Sequence, residues 1–389
     1  MRTLLVLRGA PGCGKTTFVK ENHLIQYTLS FDNIRMLYRS PIQTIYGKEA
    51  FDRRKEPFIF EQMLKILEER MKYGEFTVID HTNSKTSDLN KYSELALKYR
   101  YKFYIIDFTD MDKETINNQN VNRLTRKRIP EHIMNKIYEE LDKEVFPKNA
   151  IIKKPDELND IYEKPIDLSK YKKIHHIGDI HGCYEALQKG MKEHPIKDDE
   201  FYIFLGDYTD RGKKSAEVLQ FMNQLKNKEN IVFCEGNHER WVWNWANGIK
   251  EYTEEFLKNT KKQIEAANLS KKEIRKLYRT LKECCYYNYH GKTILACHGG
   301  IATIPDNLTL LSTHQLIHGV GLYSDLNQIT QTFSNQSNIE IFGHRNPERL
   351  DAKLSDQVYC LENGVEKDGS LRWLTLDEKS IQVYEYKES

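Results

Sequence analysis

Short apolar runs that each end in a polar cluster recur along the chain, separated mostly by amphipathic stretches. In the first third of the chain these runs are TLLVLRG, YTLSFD, FTVIDHT and KFYIIDF. Strand-like runs that alternate with helix-like ones predict a parallel sheet with crossover helices. The first part of the chain is therefore expected to be an α/β domain.

A second set of apolar runs begins at residue 173 and reads KIHHIGDIHG, FYIFLGDYTD, IVFCEGNHE, KTILACHGG and IEIFGHRNP. The pattern again predicts α/β structure. Residues 149–172 lie between the two sets, are rich in proline and lysine, and show little hydrophobic period, which is typical of a linker. The predicted organisation is a first domain over 1–148, a linker over 149–172 and a second domain over 173–389.

Composition narrows the class of protein. The 389 residues are 39% hydrophobic and 30% charged, and no apolar run approaches the roughly 18 residues that a membrane span needs. Seven cysteines without C-x-x-C spacing favour reduced thiols and a cytoplasmic protein. Residues 1–150 hold 26 Lys and Arg against 21 Asp and Glu, which fits either a polyanionic partner or ordinary surface variation.

The sequence GAPGCGKT matches the phosphate-binding motif G-x-x-x-x-G-K-[ST] and follows the first predicted strand. Its glycines let backbone N–H groups point at phosphates, its lysine reaches the β- and γ-phosphates, and its hydroxyl takes Mg²⁺. A plain glycine turn is the alternative. We expect this loop to bind ATP or another nucleoside triphosphate with Mg²⁺, through Gly9, Gly12, Gly14, Lys15, Thr16 and Thr17.

The second predicted strand leads into Asp32, with Arg35 one helical turn later. Ligand sites in such sheets lie at the carboxyl ends of strands. Asp32 could accept the proton of an acceptor hydroxyl, and Arg35 could hold an acceptor phosphate. Asp32 could equally cap a helix that begins at Asn33. The third strand ends in DHTN, which puts Asp80 and Asn83 at the same sheet edge.

A basic segment, NRLTRKRIP, places Arg123, Arg126, Lys127 and Arg128 before Pro130, which suits the first position of a helix. Such a segment could fold over a triphosphate and stabilise transition-state charge. A solvated basic face is the alternative.

The order of these motifs over residues 1–145 resembles that of polynucleotide 5′-kinases. The resemblance implies that Ser30 binds the acceptor, that Asp32 is the general base, and that Arg35 binds the acceptor's phosphate. It also implies that Arg123 and Arg126 belong to a lid over the nucleotide, with Arg126 in a catalytic role beside Lys15; several arginines could fill each lid position.

The second domain carries D-x-H, GDYTDRG, GNHE, HGG and GH, in this order, each closing an apolar run. Oxygen and imidazole groups without thiolates suit Mn²⁺, Fe or Ni²⁺ better than structural zinc. A bridging carboxylate can hold two such ions together. The candidate ligands are Asp179, His181, Asp207, Asn237, His298 and His344.

These motifs resemble those of calcineurin-like metallophosphoesterases, which implies an α/β sandwich with two divalent metals. The implied ligands are Asp179, His181 and Asp207 for the first ion, and Asp207, Asn237, His298 and His344 for the second. The resemblance also implies that His238 is the acid for the leaving oxygen, oriented by Asp210, and that Arg211 binds phosphate. Related phosphatases carry a D-T-G-like segment where this chain has LENG, so Glu362 is a further candidate.

A kinase and a phosphatase in one chain would undo each other's work if they acted on the same atom. On opposite ends of a broken strand, the two activities are complementary. The architecture resembles the kinase and phosphatase modules of bacterial and phage end-repair enzymes. This implies phosphorylation of a 5′-OH and removal of a 3′-phosphate or 2′,3′-cyclic phosphate, on RNA in preference to DNA, with a separate ligase acting on the products. No membrane is expected, and the oligomeric state is left open, with a homodimer as one option.

Two alternatives stand beside this hypothesis. One is a small-molecule kinase of nucleoside type, fused to a dinucleoside-polyphosphate or protein phosphatase. The other is a nucleotide-sensing or scaffold protein with inactive sites. Trp241 and Trp245, four residues apart, could stack nucleobases, but tryptophans at helical spacing are more typical of a core.

Overall fold

The computed structural model describes residues 1–143 and 145–388. The chain divides into two compact units, the first formed by Met1–Glu163 with Asn307–Thr313 and the second by Lys164–Asp306 with His314–Ser389. Residues 144 and 389, which the predicted domains 1–148 and 173–389 include, lie outside the described residues. Among the described helices, none combines the length and apolar character that crossing a bilayer requires.

The first unit is built on a five-stranded parallel sheet with the strand order β2-β5-β1-β6-β7. A short antiparallel hairpin, β3-β4, lies apart from it. The elements are β1 (Thr3–Arg8), α1 (Lys15–Glu21), β2 (Thr28–Ser30), α2 (Phe31–Tyr38), β3 (Ile42–Gln43), β4 (Glu49–Ala50), α3 (Glu56–Lys72), β5 (Thr77–Asp80), α4 (Thr86–Tyr99), β6 (Lys102–Asp107), α5 (Lys113–Val121), α6 (Glu131–Lys143) and β7 (Ala150–Lys153).

The central strand β1 is buried along its whole length because helices cover both faces of the sheet. Side chains alternate between the faces of a strand. Leu4 and Val6 accordingly pack with residues of α2, α3 and α4, while Leu5 and Leu7 pack with residues of α1, α5 and α6. This two-sided burial explains why the run TLLVL is apolar throughout, and it confirms the predicted parallel α/β fold.

The segment 149–172, expected to be a linker, contains regular structure. Its residues Ala150–Lys153 form β7 and pair in parallel with β6. Ile166–Asp167 form β8, the edge strand of a sheet in the second unit. Ile151 and Ile152 are exposed on the edge strand β7, and prolines and lysines flank it. The segment therefore lacks the apolar pattern of an internal strand.

The second unit contains two five-stranded sheets, with the strand orders β11-β10-β9-β16-β17 and β15-β14-β13-β12-β8. Its elements are β8 (Ile166–Asp167), β9 (Lys173–Ile177), α7 (Tyr184–Glu193), β10 (Glu200–Phe204), α8 (Ser215–Leu225), β11 (Ile231–Phe233), α9 (Glu239–Asn247), α10 (Glu254–Lys258), α11 (Thr260–Ala266), α12 (Lys271–Tyr278), β12 (Cys284–Tyr289), β13 (Lys292–Cys297), α13 (Thr313–His318), α14 (Leu326–Phe333), β14 (Ile339–Phe342), β15 (Val358–Cys360), β16 (Leu371–Leu376) and β17 (Ile381–Tyr386).

The core of this unit lies between its two sheets. Phe201 and Ile203 of β10 pack with Ile294 of β13 and Ile341 of β14. The opposite face of the first sheet is covered by helices, and Trp245 of α9 lies in that second core with Trp241 packed against it. The predicted α/β sandwich is confirmed, and the two tryptophans belong to the packing rather than to an open stacking surface.

Candidate active sites

The phosphate-binding loop connects β1 to α1 in the first unit. Gly12 has φ +104° there, and a Cβ atom at this position would lie 2.9 Å from the carbonyl oxygen of Ile116, so only glycine fits. The ammonium group of Lys15 donates to the carbonyl oxygens of Gly9 at 2.7 Å and Ala10 at 3.0 Å. The lysine thus rests on the loop's own backbone, in position to exchange these partners for phosphate oxygens.

A carboxylate from the neighbouring strand meets this loop. Leu7 of β1 is paired in register with Asp80 at the end of β5, and the hydroxyl of Thr16 donates to Asp80 Oδ2 at 2.9 Å. A hydroxyl and a carboxylate side by side are ligands that Mg²⁺ accepts. The sequence placed Asp80 at this edge without a role; its contact with Thr16 depends on which strand lies next to β1.

Asp32 is not a helix cap. Helix α2 begins at Phe31 with Ser30 at its N-cap position, so Asp32 lies in the first turn and its side chain is available for other contacts. Its carboxylate pairs with Arg35 and, at 3.0 Å, with Lys127. Burial alone would raise the pKa of Asp32, but the charges of these two groups and of Arg123 lower it below the ordinary value.

Arg35 is fixed from several sides. Its guanidinium binds Asp32 and, at 2.6 Å, Glu56 at the start of α3. It also lies over the rings of Phe31 and Phe51, with distances of 4.6 and 5.2 Å to the ring centroids. Packing against aromatic rings holds the guanidinium plane in one orientation, as a bidentate phosphate contact requires.

The basic segment after α5 places one of its two expected lid arginines, Arg123, in the cleft. Lys127 reaches Asp32, and Arg123 lines the same cleft, whereas Arg126 pairs with Glu49 of β4 at 3.0 Å. The register differs because Thr125–Lys127 form a 3₁₀ turn, which points successive side chains in different directions. In this structure Arg126 therefore ties the β3-β4 hairpin to the basic segment.

These groups share one cleft of about 780 Å³ at the carboxyl ends of the parallel strands. Its lining includes the following predicted residues: Gly12, Gly14, Lys15, Thr16, Thr17, Ser30, Asp32, Arg35 and Arg123. The cleft has a phosphate-binding loop on one side and a carboxylate–guanidinium pair on the other, which is an arrangement for moving a phosphoryl group between two molecules.

The metal-ligand candidates of the second unit converge at the carboxyl ends of β9, β10, β11, β13, β14 and β15. Among the described residues, three groups of three side chains could each hold a metal ion, because the donor atoms within a group lie within 4.8 Å of one another. Asp207 belongs to two of these groups. The groups are His181, Asp207 and His238; Asp207, His298 and His344; and Asp179, His181 and Glu362. A carboxylate shared between sets is the geometry that a bridge between two ions needs.

Atoms that can coordinate a metal face one another in this cluster. His298 Nδ1 lies 3.2 Å from the carbonyl oxygen of Leu205, and in the neutral ring whose Nδ1–H donates to that oxygen, Nε2 is available as a metal ligand. That Nε2 lies 3.1 Å from Asn237 Oδ1 and 3.3 Å from Asp207 Oδ2. His181 is oriented likewise, through Nδ1 and the carbonyl oxygen of Thr209. Such a donor set fits divalent cations.

Glu362 belongs to the same cluster. Asp179 and Glu362 are both buried, and burial together with the charges of Glu362 and Asp207 raises the pKa of Asp179 well above its ordinary value. Glu362 Oε1 accepts from the N–H of Gly364 at 3.0 Å, while Oε2 has no hydrogen-bond partner among the described residues. An unpartnered carboxylate oxygen beside two other buried carboxylates again fits a bound cation.

Backbone strain concentrates around these ligands. Of eleven non-glycine residues with positive φ in the described ranges, five lie in the loops of this cluster. They are His181, Asp207, Asp210, Arg211 and His344. Left-handed backbone is costly for such residues and persists where the surroundings hold it, which is common at functional sites.

His238 belongs to one of these ligand groups and also faces Arg211. His238 Nδ1 lies 2.7 Å from Asp210 Oδ2; burial would lower the pKa of His238, but Asp207 and Asp210 raise it to about 9. Arg211 donates to Glu366 Oε1 at 2.8 Å, and its other terminal nitrogen is 3.5 Å from His238 Nε2. An imidazole and a guanidinium thus face the same space.

Two supporting residues were missed by the motifs. Glu239, the first residue of α9, accepts from the N–H groups of Asp207 at 2.8 Å and Gly236 at 2.7 Å, so it ties two ligand loops together. Thr260 donates to Asp210, which in turn holds His238. The glutamate of GNHE was a visible signal for the first; nothing in the sequence around Thr260 marked the second.

Comparison with known proteins agrees with this geometry. Residues 172–369 match the family model of the calcineurin-like phosphoesterases, and residues 4–143 match a model described as an AAA domain. The asymmetrical bis(5′-nucleosyl)-tetraphosphatase PrpE of Halalkalibacterium halodurans is 28% identical in an alignment of 141 residues that covers 32% of this chain and 56% of that protein. The chain thus spans about half the length of this curated relative.

Other relatives match shorter or more distant regions. The serine/threonine-protein phosphatase PP1-delta of Caenorhabditis elegans is 36% identical over 86 residues, which are 22% of this chain and 28% of that protein. A solved protein serine/threonine phosphatase of Saccharomyces cerevisiae has 14% identity and a TM-score of 0.41, covering 58% of this chain and 84% of its own. Because the phosphoesterase model spans just over half of the 389 residues, the chain belongs to the calcineurin-like phosphoesterase family, with a P-loop domain at its N-terminus.

Proposed function

We propose that this protein heals nucleic-acid ends: it phosphorylates a 5′-OH with ATP and removes a 3′-phosphate or 2′,3′-cyclic phosphate, preparing RNA ends for a separate ligase. The observation that carries the proposal is the pair formed by Asp32 and Arg35, which lines the same cleft as the phosphate-binding loop. The carboxylate can accept the proton of a hydroxyl, and the guanidinium can bind a phosphate. The pair therefore suits an acceptor that carries both a hydroxyl and a phosphate.

The contacts in the cleft support the following roles in the proposed phosphoryl transfer. Lys15 exchanges the carbonyl oxygens of its loop for the β- and γ-phosphates of ATP. Thr16 and Asp80 would hold the Mg²⁺ that neutralises phosphate charge. The ion pair between Asp32 and Lys127 opens, and Asp32 accepts the proton of the 5′-OH. The new O–P bond forms as the bond from the γ-phosphorus to the β–γ bridging oxygen breaks.

Basic side chains stabilise the charge that develops during the transfer. Arg123 lines the cleft, and Lys127 is released from Asp32 when the acceptor hydroxyl takes its place. Both groups are then available to the transferring phosphoryl oxygens and the leaving ADP. Arg126 would join them only on release from Glu49, so its catalytic role stays a prediction.

The phosphatase reaction relies on groups beside the metal ligands. The candidate ligands from Asp179 to His344 would hold divalent ions, which would supply positive charge to the phosphate and lower the pKa of a bound water. Arg211 binds the phosphate oxygens after sharing or leaving its contact with Glu366. His238, held by Asp210, donates a proton to the leaving oxygen of the terminal ribose as the P–O bond breaks.

A second candidate function takes its support from the relatives. PrpE is named as an asymmetrical bis(5′-nucleosyl)-tetraphosphatase, so the second unit could hydrolyse dinucleoside polyphosphates beside a small-molecule kinase. Incubation of the protein with diadenosine tetraphosphate, and in parallel with a 3′-phosphorylated oligonucleotide, separates the two. We expect release of inorganic phosphate from the oligonucleotide to be the faster reaction, and the reverse order would favour the second candidate.

The kinase acceptor provides the sharper test. If Arg35 binds the phosphate next to the 5′-OH, a nucleoside 3′-monophosphate should be phosphorylated with a kcat/KM roughly ten- to hundredfold above that of the bare nucleoside, as a charge-assisted contact predicts. This ratio of the two kcat/KM values is measured on the wild-type protein, so a variant that folds poorly cannot affect it. Arg35→Gln should erase most of this difference. Equal rates for both acceptors, unaffected by Arg35→Gln, would assign the unit to small-molecule metabolism.

A further inference from the structure

Exposed apolar side chains are concentrated in one stretch of the first unit. Of the twenty large apolar residues that are exposed in the described part of the chain, seven lie within residues 36–58. We call these the hairpin patch: Met36, Leu37, Tyr38, Ile42, Ile45, Tyr46 and Phe58. Scattered exposed apolar residues need no explanation, whereas seven within 23 consecutive residues, with the ring centroids of Tyr38 and Phe58 5.1 Å apart, are a candidate binding surface.

The most exposed members lie at the tip of the β3-β4 hairpin. Ile45 is 92% exposed and Tyr46 is 80% exposed, in a turn closed by hydrogen bonds between Thr44 and Lys48. Glu49 of β4 is pinned to the basic segment by Arg126. The tip is therefore presented by an anchored turn, and its two apolar side chains contribute little to the core of the unit.

The hairpin patch begins and ends at the acceptor side of the cleft. Residues 36–55 form an excursion whose two ends are joined by the ion pair between Arg35 and Glu56. Phe51 and Arg53, at the base of the excursion, line the cleft itself. A molecule that places its reactive hydroxyl at Asp32 and extends past Arg35 would therefore meet this patch next.

The charges within residues 36–58 favour the binding of a polyanion. The three acidic residues within 36–58 are all paired with arginines: Asp52 with Arg39 and Arg54, Glu49 with Arg126, and Glu56 with Arg35. Lys48, Arg53 and Lys55 add further positive charge between the apolar side chains. Aromatic and aliphatic side chains interleaved with cations are the pattern of surfaces that bind single-stranded nucleic acid, because bases stack on the rings and phosphates meet the cations.

We propose that the hairpin patch binds unpaired nucleobases of the acceptor strand, just beyond the nucleotide whose 5′-OH is phosphorylated. The inference rests on the proposed function and specifies its substrate as a single-stranded end. Tyr46 and Tyr38 supply the stacking rings, and Ile45 supports a base from its apolar side. Bases held in a duplex present no open faces, so a fully paired end gains nothing from the patch.

The test compares a patch variant with a matched control. The variant carries Ile45→Ser and Tyr46→Ser, both at strongly exposed positions, and the control carries Tyr73→Ser, an exposed tyrosine that precedes β5 at the opposite end of the strand from the cleft. Fluorescence anisotropy measures the Kd of a short single-stranded oligoribonucleotide with a 5′-OH. Kinase assays on the same oligonucleotide and on a nucleoside 3′-monophosphate give kcat/KM, and melting curves check folding.

The patch variant should bind the single strand about five- to hundredfold more weakly, as the loss of one stacked base predicts. Its kcat/KM for the nucleoside 3′-monophosphate should stay at the wild-type value, and Tyr73→Ser should change neither. The patch variant and the wild type should have the same Kd for an oligonucleotide whose 5′ end is fully paired. An unchanged Kd for the single strand in the patch variant would overturn the inference.

Two other results are distinguishable from that one. If the patch variant changes an oligomer into a monomer in light scattering while its oligonucleotide affinity is unchanged, the surface joins copies of the chain, and the inference is wrong. If the wild type phosphorylates bare nucleosides but neither binds nor phosphorylates any oligonucleotide, the proposed function itself fails, and this inference fails with it.

Discussion

Asp32 carries two cationic neighbours before any substrate arrives. Arg35 and Lys127 hold its carboxylate in place, and together with Arg123 they lower its pKa although burial opposes them. A carboxyl group whose pKa lies below its ordinary value stays ionised throughout the neutral range. Asp32 is therefore ready to accept a hydrogen bond from a hydroxyl once one of its ion pairs opens.

Replacement of Asp32 by alanine should lower kinase kcat/KM by a factor of about 10² or more, as the loss of a positioned general base predicts. Because the pKa of Asp32 is lowered, we expect no loss of wild-type kinase rate from its protonation between about pH 8 and pH 6. Asp112→Ala is the control, since Asp112 caps α5 by accepting from the N–H of Thr115. If Asp32→Ala, like that cap variant, lowered only the melting temperature, Asp32 would be structural.

Asp207 belongs to two of the three groups of candidate metal ligands, whereas Glu362 belongs to one. Asp207→Ala should therefore abolish phosphatase activity and lower the content of divalent metal more than Glu362→Ala does. Metal content by mass spectrometry and phosphate release, after chelation and re-addition of Mn²⁺ or Ni²⁺, measure both effects. Asp199→Ala, which removes a surface partner of Lys172, is the control. Full phosphatase activity in a strong chelator would contradict a metal-dependent reaction.

Helices α10 and α11 act on the site through the loop that follows β10. Thr260, the first residue of α11, donates to Asp210 and also accepts from its N–H at 3.0 Å. Glu255 of α10 accepts from the N–H of Arg211 at 2.9 Å. These helices thus hold in place the loop that orients His238.

Thr260→Val should lower phosphatase kcat about tenfold, because Asp210 loses a hydrogen bond and orients His238 less firmly. The content of divalent metal and the kinase rate should be unchanged, and Thr260→Ser should restore most of the activity. Thr280→Val is the matched control, since the Thr280 hydroxyl only donates to the carbonyl oxygen of Leu277. An unchanged phosphatase rate in Thr260→Val would show that α11 does not support the acid.

Across the whole chain, the sequence was most informative where a motif closes a buried strand. The phosphate-binding loop and the ligands from Asp179 to His344 each follow an apolar run. In the second unit the structure brings those ligands together at the carboxyl ends of the strands, and in the first unit the loop follows the carboxyl end of β1. The contact between Thr16 and Asp80 was not predictable in the same way, because it depends on which strand lies beside β1.

Other features escaped prediction for equally physical reasons. The positions of Arg126 and Lys127 depend on the geometry of one 3₁₀ turn, and any of four neighbouring cations could have filled either place. The sequence around the edge strand β7 predicts a linker, because a short strand with two exposed isoleucines lacks the apolar pattern of an internal strand. Thr260 contributes through a helix that lies fifty residues from Asp210 in sequence, and no spacing rule relates the two.

The most direct test of end healing uses one RNA oligonucleotide that carries a 5′-OH and a 3′-phosphate, incubated with ATP, Mg²⁺ and Mn²⁺ and analysed at both ends by mass spectrometry. The wild type should add a phosphate at the 5′ end and remove the one at the 3′ end of the same molecule. Lys15→Ala should abolish only the first change and Asp207→Ala only the second, because the two residues belong to separate units. Both ends left unchanged, while diadenosine tetraphosphate or a bare nucleoside is consumed, would contradict the account.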